Sequence, residues 1–259
     1  MSGIEVSLRI VRDGVGRLTW SSTDDLPGLT DAVGLAAGDA LVGAGLHRVE
    51  VVVDVTDRVS RRALHRCAFR MEGIRRQAHR TDDGWRDQAV YARLAGDGID
   101  GPGAFTAVLN TVLPTKRLIA HVLIRNEAGR LLFLTTSYKP DWELPGGVVE
   151  PHESPRLAAR RECIEEIGLD LDVRRVLVAD WMPDYLGWYD ALELIFDGGV
   201  LDEARIGQIR LGEGEILAAH WVDADEAVAH LTPHAARRLR TILALDGFGY
   251  LEAGESIDR

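Results

Sequence analysis

Apolar and polar residues alternate through "IEVSLRIV", Ile4 to Val11, and "GRLTWSS", Gly16 to Ser22, which predicts two strands near the start of the chain. The period then lengthens to that of a helix from Thr30 to Ala44. It shortens again in the apolar strand "HRVEVVVDV", His47 to Val55. A second helix is predicted from Val59 to Cys67, and strands around "GIRRQAHR" and "WRDQAVYARL" flank the turn "TDDG". Periodicity stops in "AGDGIDGPGAF", Ala95 to Phe105, where Gly and Asp crowd around Pro102. This places a small α+β domain at 1–95, a linker at 96–111 and a larger domain at 112–259. In the larger domain "LIAHVLIRN" and "RLLFLTT" flank the turn "NEAG" as a hairpin. Strands are predicted at "RRVLVADW", "YDALELIF" and "EILAAHWV", and a last helix from Thr232 to Leu245.

The chain has 259 residues and a formal net charge of -11, which argues against nonspecific binding to nucleic-acid backbones or anionic lipid and favours a small-molecule partner. Two distant cysteines, Cys67 and Cys163, form neither a disulfide framework nor a zinc pattern. The first residues alternate instead of forming a long apolar core, so a cytoplasmic protein without a membrane partner is expected.

One stretch changes the picture. In "GGVVEPHESPRLAARRECIEEIGLD", Ser154 before Pro155 is a helix start and Gly168 the matching stop. At helical spacing Leu157, Cys163, Ile164 and Ile167 fall on one side, and Glu162, Glu165 and Glu166 on the other. Glu162 and Glu166 are four apart and repel, unless a divalent cation bridges them. Oxygen ligands without His or Cys favour Mg²⁺ or Mn²⁺.

Gly147, five residues, Glu153, seven residues, then Arg161-Glu162-Cys163-Ile164-Glu165-Glu166-Ile167-Gly168-Leu169 resembles the Nudix box at every fixed position. The resemblance implies an α/β/α sandwich. It also implies a metal-dependent hydrolase that cleaves a nucleoside diphosphate linked to another moiety X, with metal-activated water as nucleophile. It implies metal ligands among Glu162, Glu165 and Glu166, with a backbone carbonyl at Gly146 or Gly147. Arg161 then orients the glutamates, Glu153 braces the loop, and Gly168 is structural. The general base is Glu162 or Glu165, or else Glu215, six residues before Trp221, with Glu213 and Glu193 as rivals. Cys163 is a core residue, not a nucleophile.

Lys139 is a candidate phosphate contact, Trp142 a base-stacking one, and Tyr185 lies in the aromatic loop "WMPDYLGWYD". Gly45 to Leu94 resembles part of a GNAT N-acetyltransferase, in its Ser60-Arg61-Arg62 helix start, Phe69 and Glu72-Gly73. Asp24 and Asp25 stand where that resemblance requires a phosphate-binding loop, which implies a truncated domain without acetyl-CoA binding. Half a fold leaves an edge to cover, so a homodimer is expected. The competing functions are a nucleotide-sensing module without turnover and a bifunctional protein that retains acetyltransfer.

Overall fold

The computed structural model describes residues 4–185 and 187–257, so Leu186 of the aromatic loop lies outside the described residues. The chain divides into two units, residues 1–114 and 115–259. Among the described residues no helix is long and apolar enough to cross a membrane.

The first unit contains β1 (Val6–Arg12), β2 (Val15–Trp20), α1 (Leu26–Gly38), β3 (Arg48–Asp54), α2 (Arg58–Arg66), β4 (Arg70–Thr81), β5 (Gly84–Leu94) and α3 (Gly101–Val112). Its sheet order is β1-β2-β3-β5-β4. One face of β3 carries Val49 and Val51 into a core with Leu29 and Val33 of α1, Ala63 and Leu64 of α2, and Tyr91 of β5. α1 starts earlier than predicted because Asp25, not a residue near Thr30, accepts the Gly28 amide as its cap. It runs into a π-helical turn, Asp39–Gly43.

The linker predicted at 96–111 is corrected by the structure. Pro102 sits in the first turn of α3, where a missing N–H costs nothing, and the helix buries Ala104 and Val108. Thr111 Oγ1 then accepts the amide of Met71 on the edge strand β4 at 3.1 Å. The break between units follows Pro114.

The second unit contains β6 (Arg117–Asn126), β7 (Leu131–Thr136), β8 (Gly146–Val148), α4 (Pro155–Ile167), β9 (Val176–Met182), β10 (Ala191–Leu201), α5 (Glu203–Ile206), β11 (Ile216–Val222), α6 (Ala224–Val228), α7 (Pro233–Ala244), β12 (Gly249–Glu252) and β13 (Glu255–Ser256). The sheet order is β11-β7-β6-β10-β9-β12-β13, with β8 paired to the first part of β6. β6 runs parallel to β10, a pairing buried on both faces. Ala120, Val122 and Ile124 of β6, with Leu132 and Leu134 of β7, face Ala158, Ala159, Cys163 and Ile167 of α4. Leu123, Leu131 and Phe133 alternate to the opposite face and meet Leu239 and Ile242 of α7. The result is an α/β/α sandwich, and the whole chain is of α+β class.

Candidate active site

β8 and α4 are joined by a six-residue loop, and the local sequence determines how closely they approach. Gly146 has φ +141°, and a Cβ there would lie 2.3 Å from the Ala120 carbonyl oxygen, so no side chain fits. A Cβ on Gly147 would lie 2.7 Å from Glu162 Oε1. The glycine pair therefore leaves a bare wall against which α4 lays its carboxylates. Ser154 accepts the Leu157 amide to start α4, and Gly168 ends it in the left-handed conformation, as the sequence predicts.

The buried face of α4 differs from the predicted one. Leu157 and Ile164 are each 46% exposed, whereas Ala158, Ala159, Cys163, Glu166 and Ile167 are buried. Small alanines bring the helix close to the sheet, and Glu166 then falls within the buried stripe instead of on a solvated acidic face. Cys163 is fully buried, and burial raises its thiol well above the usual range.

Glu166 Oε2 accepts the Gly146 amide at 2.7 Å. Burial pushes Glu166 up to about 8. The Gly146 amide opposes this, and Glu143, Glu162 and Glu215 add repulsion. Glu162 is also raised, first by burial, with Glu165 and Glu215 contributing, although Arg161 pulls it down.

Arg161 ties the group together. Its Nε and Nη2 donate to the two oxygens of Glu153 at 3.0 and 3.1 Å, and Nη2 also reaches the Val148 carbonyl at 3.2 Å. Nη1 donates to Glu162 at 2.8 Å and Glu165 at 3.0 Å. Glu153 in turn accepts the Glu150 amide at 3.1 Å, which fixes the loop, and Arg161 holds its carboxyl below the usual carboxylate range. Glu165 is thus turned toward Arg161 and solvent, sharing Nη1 with Glu162. Among the described residues no three His, Cys, Asp or Glu side chains converge closely enough to hold a metal as they stand.

A cavity of about 350 Å³ opens beside this wall, lined by Gly146, Gly147 and Val148 and by Arg238 of α7. Several predicted substrate residues line it, but two of them are already occupied. Lys139 donates to Glu143. The imidazoles of His220 and His230 lie 4.1 and 3.9 Å from the Trp142 ring centroid and nearly parallel to it. Two rings so placed cannot share a face, so both faces of Trp142 are taken and it is not a free stacking platform. Tyr185 lines the cavity with Trp188 and meets His234 edge-on.

Glu193, a rival for general base, is buried between His121 Nδ1 at 2.8 Å and Arg238 Nη1 at 2.6 Å. Burial pushes its carboxyl up, but Arg238 and His121 outweigh this and hold it at about 2. It is therefore held as a carboxylate between His121 and Arg238. Glu215 is exposed at the start of β11, and its carboxylate has no hydrogen-bond partner among the described residues. The sequence reading passed over Glu143, Asp180 and Arg238. Glu143 accepts from Tyr138 at 2.7 Å, and Asp180 is fully buried against Arg238 at 3.1 Å. Asp180 carries a sequence signal, a lone charge in an apolar strand, whereas Glu143 lies in a loop and Arg238 shares α7 with Arg237 and Arg240.

Residues 115–245 match the NUDIX domain family over half of the chain. The chain belongs to the Nudix family. A MutT-like protein of Streptomyces ambofaciens is 31% identical over 131 residues, covering 51% of this chain and 77% of that protein. A putative 8-oxo-dGTP diphosphatase of Bacillus subtilis (strain 168) is 28% identical over 120 residues, covering 46% of this chain and 75% of that one. For the first unit, a solved GNAT-family acetyltransferase from Bacillus anthracis aligns over 36% of this chain and 58% of that chain, at 16% identity and a TM-score of 0.33. As a Nudix protein the chain is a diphosphate hydrolase, and the Nudix helix is α4.

Proposed function

We propose that this Nudix domain cleaves the diphosphate of a nucleoside diphosphate linked to a moiety X, using Mg²⁺ or Mn²⁺. The supporting observation is the pair of carboxylates, Glu162 and Glu166, pressed against Gly146 and Gly147 beside the cavity. Paired carboxylates of this kind, one buried and one half-buried, suit a hard divalent cation, and the donor set is all oxygen. Glu162 and Glu166, with Glu165 after a rotation away from Arg161 and with Gly146 or Gly147 as backbone ligand, would hold it. A bound divalent ion neutralises phosphate charge and lowers the pKa of water.

The protein's own residues do the rest. Arg161 keeps Glu162 aimed at the glycine wall and ties the loop through Glu153. Glu215, reachable by solvent and free of any arginine, takes the proton of the attacking water. Glu162 and Glu165 are the alternatives for this role, and both are held by Arg161.

The first unit serves as a structural or assembly element. At the start of α1 the Gly28 amide is already held by Asp25 at 3.0 Å, so the chain's own carboxylate stands where an anion would bind. A homodimer is its expected assembly, and sedimentation of the full chain checks it. Turnover is tested by offering nucleoside triphosphates, nucleotide sugars, ADP-ribose and dinucleotides with Mg²⁺ or Mn²⁺ and following phosphate products. Phosphate release that continues in EDTA would sink the metal-dependent reading.

A further inference from the structure

The cavity beside the glycine wall is also lined by Arg238, which the hydrolytic chemistry does not use. Its walls are apolar there: Phe133, Met182, Leu239 and Ile242 line it, with Tyr185 and Trp188 from the aromatic loop. Arg238 is only 8% exposed. Its Nη1 makes all of its pairs, to Asp180 at 3.1 Å, Glu193 at 2.6 Å and the Met182 sulfur at 3.7 Å. Nε and Nη2 make none among the described residues, yet neither is a sealed-off buried nitrogen, so they are left to the cavity that Arg238 lines.

This edge has a defined chemistry. Glu193 and Asp180 already pair with the Arg238 guanidinium, so at this residue the cavity meets two N–H donors whose charge is offset. A second anion gains little there, whereas a neutral ring with two adjacent acceptors fits. A carbonyl oxygen beside a ring nitrogen, the O6 and N7 of guanine, matches the arginine fork. Adenine puts an amino donor in place of O6. Guanine oxidised at C8 carries a hydrogen on N7, so one of the two acceptors becomes a donor facing a donor.

We propose that the cavity takes the nucleoside as a guanine base, with Arg238 reading O6 and N7, and that it selects unoxidised guanine over both adenine and 8-oxoguanine. This rests on the hydrolase reading only in placing the phosphates at the glycine wall.

The test uses the full chain in EDTA and measures binding of nucleoside monophosphates, which have no diphosphate to cleave, by calorimetry. Guanosine and inosine monophosphates should bind within about threefold of each other, because inosine keeps O6 and N7, and the adenosine, 7-deazaguanosine and 8-oxoguanosine compounds at least about tenfold more weakly. A 7-deaza compound that binds as tightly as its parent, or an 8-oxo compound that binds more tightly, overturns the proposal. Arg238→Lys keeps the charge that balances Glu193 but loses the fork, and should compress the series to within about threefold. A lysine variant that retains the full preference also overturns it. If circular dichroism shows that variant unfolded, the ligand series on the unaltered protein still decides. Turnover of the corresponding triphosphates with Mg²⁺ separates the two ideas. Cleavage without base preference sinks the guanine assignment alone, and base preference without cleavage sinks the hydrolase reading alone.

Discussion

Two helices of this protein stack like charges four residues apart. On α2, Arg58, Arg62 and Arg66 form an exposed stripe without an ion-pair partner among the described residues. On α4, Glu162 and Glu166 do the same with carboxylates, but Glu166 is 4% exposed and Glu162 is packed on Gly147. Water screens the first set, so its repulsion costs a few tenths of a kcal/mol per pair. Burial removes that screening at Glu166, so this carboxyl keeps a proton or needs a cation beside it. Spacing alone does not separate the two cases, and depth does.

The largest expected effect separates them by function. Glu166→Gln should lower turnover on the order of 10²-fold or more, as should removal of divalent cations by EDTA, whereas Arg62→Gln should leave kcat/KM unchanged. Equal losses in the two variants would erase the distinction.

Stability against pH sharpens it next. The folded state holds the Glu166 proton up to about 8, well above the ordinary carboxylate range. The metal-free protein therefore gains stability from this group below about pH 4 and loses it as pH rises toward 8, by an amount on the order of a few kcal/mol. Urea melts in EDTA should show that decline, Glu166→Gln should flatten it, and saturating Mg²⁺ should offset it. An identical slope in the glutamine variant would show that Glu166 is not the titrating group.

A smaller effect belongs to the arginine beneath the glutamates. Arg161→Lys keeps a charge but cannot span Glu153, Glu162 and Glu165 together, so activity should fall about tenfold while the melting curve keeps its midpoint. The matching change on α2, Arg58→Lys, should alter neither. The smallest expected effect is a stabilisation. Arg62→Glu places opposite charges between Arg58 and Arg66 and should raise stability by about 0.5 kcal/mol in low salt, vanishing in high salt. A larger gain would mean that the arginine stripe is less solvated than its exposure indicates.

Much of this was legible in the residues. Ser154, Pro155 and Gly168 bound the Nudix helix because capping and left-handed termination are local events, decided within a few residues. The alternation in "LIAHVLIRN" foretold β6, whose two faces feed two cores. Pro102 misled the reading toward a linker, since proline in a Gly-rich stretch marks a helix's first turn as readily as a break. The sequence predicts a stacking platform at Trp142 because the two histidines that cover it, His220 and His230, are about eighty residues away.

What the sequence determined by itself is therefore the local part: the helix and its limits, the adjacent glycines before it, and the set of carboxylates and one arginine at fixed spacing. Only the tertiary structure decided which of those carboxylates are buried, that Glu165 turns to Arg161 and Glu193 to Arg238, and that Arg238 of α7 faces the same cavity as Gly146. The physical reason is that capping and spacing act along the chain. Desolvation and ion pairing depend on which distant segments are brought together, and no residue carries that information alone.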